Sequence, residues 1–362
     1  MLPVLFTLTV PVVAVTPLLF ALVPVVGLGR AWGFRRREAE AGRRVGWGAA
    51  LWDDKLTLAV LLGAAVALWR AGVLNEDLSL PLHTYGLMIA TGFVVGIALA
   101  QREARRQHQD AERIGDLAFW ILIAALVGSR VYFIAVNAGD YFGANAWVTF
   151  RGARIPRLLA LWEGGLVFYG GFIAAAATAW WYLRRHDMRF LPYADTLIPS
   201  VAIGHFFGRI GCFAAGCCWG EVSHAHLPWL MKFPRVSLAY QTFAARPNAA
   251  ELLAPDRLTT LPVHPTQLYE SFGELALFAL LTLVVRPRKR FHGQVLAVWL
   301  MAYAVLRAVV ELFRGDLERG VVDGLGVGQW TSIAIFGAGV AVWVVGRRLG
   351  AAAVQRRMRS AA

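Results

Sequence analysis

Nine predominantly apolar stretches recur along this chain of 362 residues, at about 3–28, 50–72, 85–101, 115–137, 160–183, 192–216, 265–285, 293–313 and 328–346. A helix needs roughly 20 apolar residues to cross a bilayer core of about 30 Å. Within that core every backbone polar group must be satisfied internally, which leaves a helix bundle as the natural solution for such stretches. The chain is 58% hydrophobic and 16% charged, against about a quarter charged for soluble domains. The fold class expected is therefore all-α, a polytopic membrane helix bundle. The span at 50–72 is the weakest, because Asp53, Asp54 and Lys55 fall in its first turns. The span at 192–216 carries Asp195, Pro199, His205 and Arg209 and is expected to be broken or to line a cavity. The apolar N-terminus lacks a basic leading segment and reads as a retained helix rather than a cleaved signal.

The formal net charge of +13 does not indicate nucleic-acid binding, because the charge lies in short loops between apolar spans. Loops 30–44, 102–114, 184–189 and 286–290 with the tail 347–359 hold 22 Lys and Arg residues. The alternate loops 73–84, 138–157, 221–263 and 314–327 hold 9. The richer set should be cytoplasmic, with the N-terminus outside and the C-terminus inside. On that orientation Tyr85, Glu163, Tyr169, Gln267 and Glu270 lie early in spans entering from outside, and Arg130, Arg209 and Arg307 lie late in spans running outward. All gather in the outer half of the membrane, which predicts one polar cavity there. The loop 221–263 reads as a small external cap of moderate order.

Ionisable groups at membrane depth are costly and tend to be functional. Arg209 stands in GRIGCFAAGCCWG (208–220). A guanidinium there needs an anion, and phosphate matches its donor fork; an ion pair to a carboxylate or snorkelling is the plainer alternative. Gly211 and Gly220 permit close backbone approach. Arg307, Glu311 and Arg314 share one helical face, and Arg307–Glu311 could be a salt bridge or part of a site. HPTQLYE (264–270) opens a helix with proline at a favoured position; Gln267 and Glu270 share a face, and His264 serves either as cap or as catalyst. His205, one turn before Arg209, lines the cavity or bonds a neighbouring helix. Cys212, Cys217 and Cys218 cannot all pair within one chain. Their spacing does not match usual zinc pairs, and adjacent cysteines on a helix diverge, so small buried hydrophobes are the expected reading.

Together these motifs resemble the bacterial prolipoprotein diacylglyceryl transferases. The resemblance rests on HTYGLM (83–88), GSRVY (128–132), WEGGLVFYGG (162–171), the GRIGCFAAGCCWG turn, HPTQLYE and RAVVELFRGD (307–316), in the family's order. It covers about 80–347, a seven-span core. Residues 1–79 read as an added two-span extension and 348–362 as a basic cytoplasmic tail. The resemblance implies a multi-pass protein of the bacterial cytoplasmic (inner) membrane. It also implies transfer of the diacylglyceryl group of phosphatidylglycerol to the lipobox cysteine of prolipoprotein signal peptides, forming a thioether and releasing glycerol phosphate. Arg209, Arg307, Tyr169 and Glu270 take the catalytic positions. Tyr85, Arg130, Glu163, Gly211, Cys212, Gly220, His264, Gln267 and Glu311, with Arg209, take the substrate-binding ones. No cofactor, metal or nucleic acid is implied.

Tyr169 stands where the family often has histidine. A phenol of pKa near 10 is a poor base at neutral pH, so the base falls to Glu270, Glu311 or His264. The family often has asparagine where Cys212 and Ala215 stand and an acidic residue near Cys217, so those contacts do not carry over. A lipid or anionic-solute transporter with an outward arginine-lined cavity is the alternative function. A thiol-redox or metal protein built on the cysteines, and a paralogue with altered acceptor choice, are further alternatives.

Overall fold

The computed structural model describes residues 4–10, 78–142, 146–150, 153–160, 165, 167–225, 227–315, 321–322 and 325–361, with single positions 32, 35, 39 and 46. Helices among the described residues include α1 (Thr84–Arg106), α2 (Ala111–Val136), α3 (Phe168–Arg185), α4 (Phe190–Ala215), the short α5 (Leu238–Ala244) and α6 (Ala249–Leu252), α7 (Thr266–Ala279), α8 (Gln294–Glu311) and α9 (Val327–Ala361). Six helical segments, α1, α2, α4, α7 with its continuation to Arg288, α8 and most of α9, are long and apolar enough to cross a membrane. The protein is an all-α polytopic membrane bundle. Large apolar side chains such as Phe119, Trp120, Val127 and Val131 of α2 face outward, as a lipid-facing helix requires.

Residues 4–10, expected within the first span, form a strand β1 (Val4–Val10) paired with β2 (Leu78–His83). The rest of that span, and all of the second, lie outside the described residues. The chain divides into two compact units, one of residues 1–5, 82–128 and 172–362, the other of 6–81 and 129–171.

In the first unit α1 packs along α4 through a small-residue stripe. A Cβ on Gly92 would lie 3.1 Å from the Gly204 carbonyl, and one on Gly96 3.2 Å from that of Ser200. Such stripes let helix backbones approach where no hydrophobic force drives association. α4 is one continuous helix of 26 residues with Pro199 inside it, so of the two alternatives for this span a break does not occur. Asp195, fully buried, accepts hydrogen bonds from the Gly293 and Leu296 amides at 2.7 and 3.0 Å and pairs with Lys289 at 3.0 Å. It thereby caps the start of α8, where orphan amides favour an anion.

The cap between α4 and α7 has a core of its own. Trp219, Phe233, Phe243, Leu253 and Val263 form its own apolar core, and α5 starts at Ser237, whose hydroxyl accepts from the Tyr240 amide at 3.2 Å. In the second unit the described elements include a two-stranded hairpin, β3 (Trp147–Phe150) and β4 (Ala153–Pro156).

Candidate functional site

Three motifs remote in sequence meet through their backbones. The Gly220 amide donates to the His264 carbonyl at 2.9 Å, Glu221 to Phe313 at 2.9 Å, and His264 to Glu221 at 3.1 Å. Gly220 bridges to Arg314 in the same stitch. A Cβ at Gly220 would stand 2.5 Å from the Phe313 oxygen and 2.6 Å from that of His264, so only glycine lets these strands of chain cross. The end of α4, the start of α7 and the end of α8 are thus held at one end of the first unit.

Arg209 on α4 donates from Nη2 to Oε1 of Glu270 on α7 at 2.7 Å. Tyr303 on α8 reaches the same oxygen at 3.4 Å. One turn along α4, His205 Nδ1 lies 2.7 Å from Glu274 Oε1, and Trp299 Nε1 donates to Glu274 Oε2 at 3.3 Å. Two rungs therefore join α4 and α7, each ending in a fully buried carboxylate. One turn beyond Tyr303 on α8, Arg307 Nη2 lies 2.5 Å from Glu311 Oε2. Gln267 Nε2 donates to the Cys217 carbonyl at 2.6 Å and Thr266 Oγ1 to that of Cys218 at 2.8 Å. Tyr85, in the first turn of α1, packs on Gly211, where a Cβ would lie 3.1 Å from Tyr85 Cδ2.

Besides Glu311 Oε2, which the Arg307 ion pair engages, six buried side-chain polar atoms make no hydrogen bond among the described residues, and four belong to this group: Arg209 Nε, Gln267 Oε1, Glu270 Oε2 and Arg307 Nη1. Buried polar atoms are nearly always satisfied in folded proteins. A concentration of orphans on two arginines, one glutamate and an amide is what a site for a polar, charge-bearing group requires.

His264 Nδ1 lies 3.0 Å from the Tyr269 hydroxyl and its ring stands 5.2 Å from that of Phe313. The three cysteines, expected to diverge, converge instead, with their sulfurs within 4.8 Å of one another. Cys217 and Cys218 are not helical: α4 stops at Ala215, and both Gly216 (φ +68) and Cys218 (φ +60) are left-handed.

The second unit holds Arg130 and Tyr169. Arg130 is 6% exposed and donates to the carbonyls of Leu158, Arg157, Ala160 and Gly165 at 3.0, 2.9, 3.2 and 3.4 Å. Its guanidinium also faces the Tyr141 ring at 5.3 Å. It ties Arg157, Leu158, Ala160 and Gly165 together through their carbonyls. Tyr169 is 61% exposed in the first turn of α3. Glu163 lies outside the described residues.

Sequence reasoning missed Glu274, Trp299 and Tyr303. Glu274 was within reach: Gln267, Glu270 and Glu274 fall at i, i+3 and i+7 on one helical face, opposite a His205–Arg209 pair spaced i, i+4.

The profile of the prolipoprotein diacylglyceryl transferase family matches residues 73–345. A relative from Photorhabdus laumondii, named phosphatidylglycerol–prolipoprotein diacylglyceryl transferase, is 33% identical over 267 residues, spanning 73% of this chain and 88% of its own. Proteins of the same name from Finegoldia magna and Burkholderia thailandensis are 31% and 32% identical over 256 and 292 residues. They cover 71% and 76% of this chain and 88% and 94% of their own lengths.

Proposed function

The chain belongs to the prolipoprotein diacylglyceryl transferase family, and from that membership we propose that it performs the reaction for which its relatives are named. It takes the diacylglyceryl group from phosphatidylglycerol and places it on the lipobox cysteine of a prolipoprotein signal peptide. The sulfur attacks the glyceryl carbon, a thioether forms, and the carbon–oxygen bond to phosphate breaks. Glycerol phosphate departs with the electron pair. The observation that carries this reading is the set of four orphaned polar atoms on Arg209, Gln267, Glu270 and Arg307.

Each orphan has a use in that chemistry. Negative charge develops on the departing phosphate, and preorganised cations in a water-poor site stabilise it. Arg209 keeps Nε and Arg307 keeps Nη1 for phosphate oxygens, while their Nη2 atoms are braced by Glu270 and Glu311. Glu270 Oε2 accepts the proton of the acceptor thiol, with Glu311 its neighbour in that role. Gln267 Oε1 and the Tyr85 ring position the glyceryl backbone, and Gly211 and Gly220 keep the approach open. Arg130, Glu163 and Tyr169 are proposed contributors by the resemblance alone.

The positive charge on alternate loops supports a cytoplasmic C-terminus and a site in the outer half of the inner membrane. The polar residues fall at the ends of α1, α4, α7 and α8 that join the charge-poor loops.

The test is to incubate the purified protein in detergent with phosphatidylglycerol and a lipobox peptide and to weigh the peptide. A diacylglyceryl adduct that disappears when the peptide cysteine is serine is expected. No adduct under conditions where a relative is active would overturn the reading.

A further inference from the structure

Cys212, Cys217 and Cys218 are the chain's only cysteines, and the proposed reaction has given them no task. All three are free thiols and partly accessible. Their convergence is built in at a cost. Cys218 adopts a left-handed backbone (φ +60), which a residue other than glycine adopts only against a steric penalty. Both neighbouring carbonyls are tied to α7, Cys217 to Gln267 at 2.6 Å and Cys218 to Thr266 at 2.8 Å. The Cys217 amide returns to the Cys212 carbonyl at 3.1 Å. This turn aims three sulfurs at one point, within 4.8 Å of one another.

Thiolates bind a zinc-class cation at about 2.3 Å, which places bound sulfurs roughly 3.8–4.0 Å apart. The three sulfurs, within 4.8 Å of one another, lie within about 1 Å of that spacing. Three thiolates on a divalent cation leave one net negative charge, and Arg209 and Arg314 are the nearby compensating cations. Three protein ligands with an open fourth position is the pattern of catalytic rather than structural zinc sites.

We propose that Cys212, Cys217 and Cys218 bind one thiophilic divalent cation of the zinc class, whose fourth position takes the thiol of the acceptor peptide. The second half of this proposal rests on the transferase reading above. The acceptor thiol gives its proton to Glu270 on coordination, because a metal-bound thiol is deprotonated outright. Its sulfur then attacks the glyceryl carbon as the carbon–oxygen bond to phosphate breaks, and the cation keeps its charge and oxidation state throughout. The proposal accounts for a phenol at Tyr169 in place of an imidazole, since a cation activates the thiol without a strong base.

The experiment is to purify the full chain under reducing conditions, load it with Zn²⁺ or Co²⁺, remove excess ion, and measure bound metal alongside the cobalt–thiolate absorption. One equivalent is expected, lost in Cys217→Ser and in Cys218→Ser. Both variants must elute and melt as the wild type does; Cys218→Gly, which relieves the backbone at that position, serves if Cys218→Ser fails to fold. Lipobox peptide should shift the cobalt spectrum, and its Cys→Ser version should not. Fully reduced protein that retains no metal would overturn the site. So would a disulfide between two of the thiols in protein that still forms adduct. Full transfer by chelator-stripped protein would overturn the thiol-activating role while leaving the transferase reading intact. Metal retention with no adduct under any condition would instead remove the transferase reading, and with it that role.

Discussion

Arg209 and Glu270 meet across α4 and α7 with Nη2 2.7 Å from Oε1, yet each keeps a second buried atom unpaired, Nε on one and Oε2 on the other. A purely structural ion pair in a low-dielectric interior gains from satisfying all its donors and acceptors. This pair is half satisfied, and the unpaired half is what a phosphate oxygen and a thiol proton require.

Replacing Glu270 with glutamine keeps the side chain's shape and an acceptor for Arg209 while removing the proton acceptor. General bases contribute about 10²–10⁴ in rate. Transfer by Glu270→Gln should fall within that range at neutral pH and recover partly as pH rises, with the thermal midpoint little changed. A rate equal to wild type would assign the proton to Glu311 or His264.

The second rung is a stability element. Glu274→Ala leaves His205 and Trp299 without their acceptor in a buried site, at about 1–3 kcal/mol. Its melting midpoint in detergent should drop clearly, whereas Glu274→Gln should restore part of it by accepting one of the two bonds. Equal midpoints for wild type and Glu274→Ala would contradict the rung.

Much of this site was legible before the fold was known, because charges at membrane depth stand out against apolar sequence. Arg209, Glu270, Arg307, Glu311 and Gln267 announced themselves in that way, and helical periodicity placed Gln267 with Glu270 and Arg307 with Glu311. Tyr303 and Trp299 did not, since aromatic residues in an apolar helix look like packing until a carboxylate is seen beside them. The cysteines misled for a local reason. Their divergence was inferred on the premise of a continuing helix, and the left-handed Gly216 and Cys218 end it first. Pro199 left a break in α4 as one alternative, which packing on α1 removes, since α4 stays helical through it.

Gly220 fixes the crossing of three motifs. Gly220→Ala would drive a Cβ into two backbone oxygens, neither of which can swing away as a side chain could. Transfer should be abolished while membrane insertion persists. Gly139→Ala, with nothing within 4 Å of the added atom, should be indistinguishable from wild type in the same assay. Activity in Gly220→Ala would show that the crossing can relax.

At the opposite end of α8, Asp195→Asn retains one amide acceptor but loses the ion pair with Lys289 and the charge that caps the helix. The loss should be about 1–3 kcal/mol, read as a lower denaturant or thermal midpoint. The transfer rate per folded molecule should not change, because α8's distant end carries the chemistry.

The most direct measurement is the initial rate of diacylglyceryl transfer to a lipobox peptide, by mass, for wild type and Arg209→Lys at matched folded protein. Lysine keeps the charge but not the fork that braces Glu270 and presents Nε to phosphate. A fall of about 10²–10³ in rate, the usual cost of one charge-stabilising donor, is predicted. Transfer at the wild-type rate by Arg209→Lys would contradict the assignment of Arg209 to the leaving phosphate.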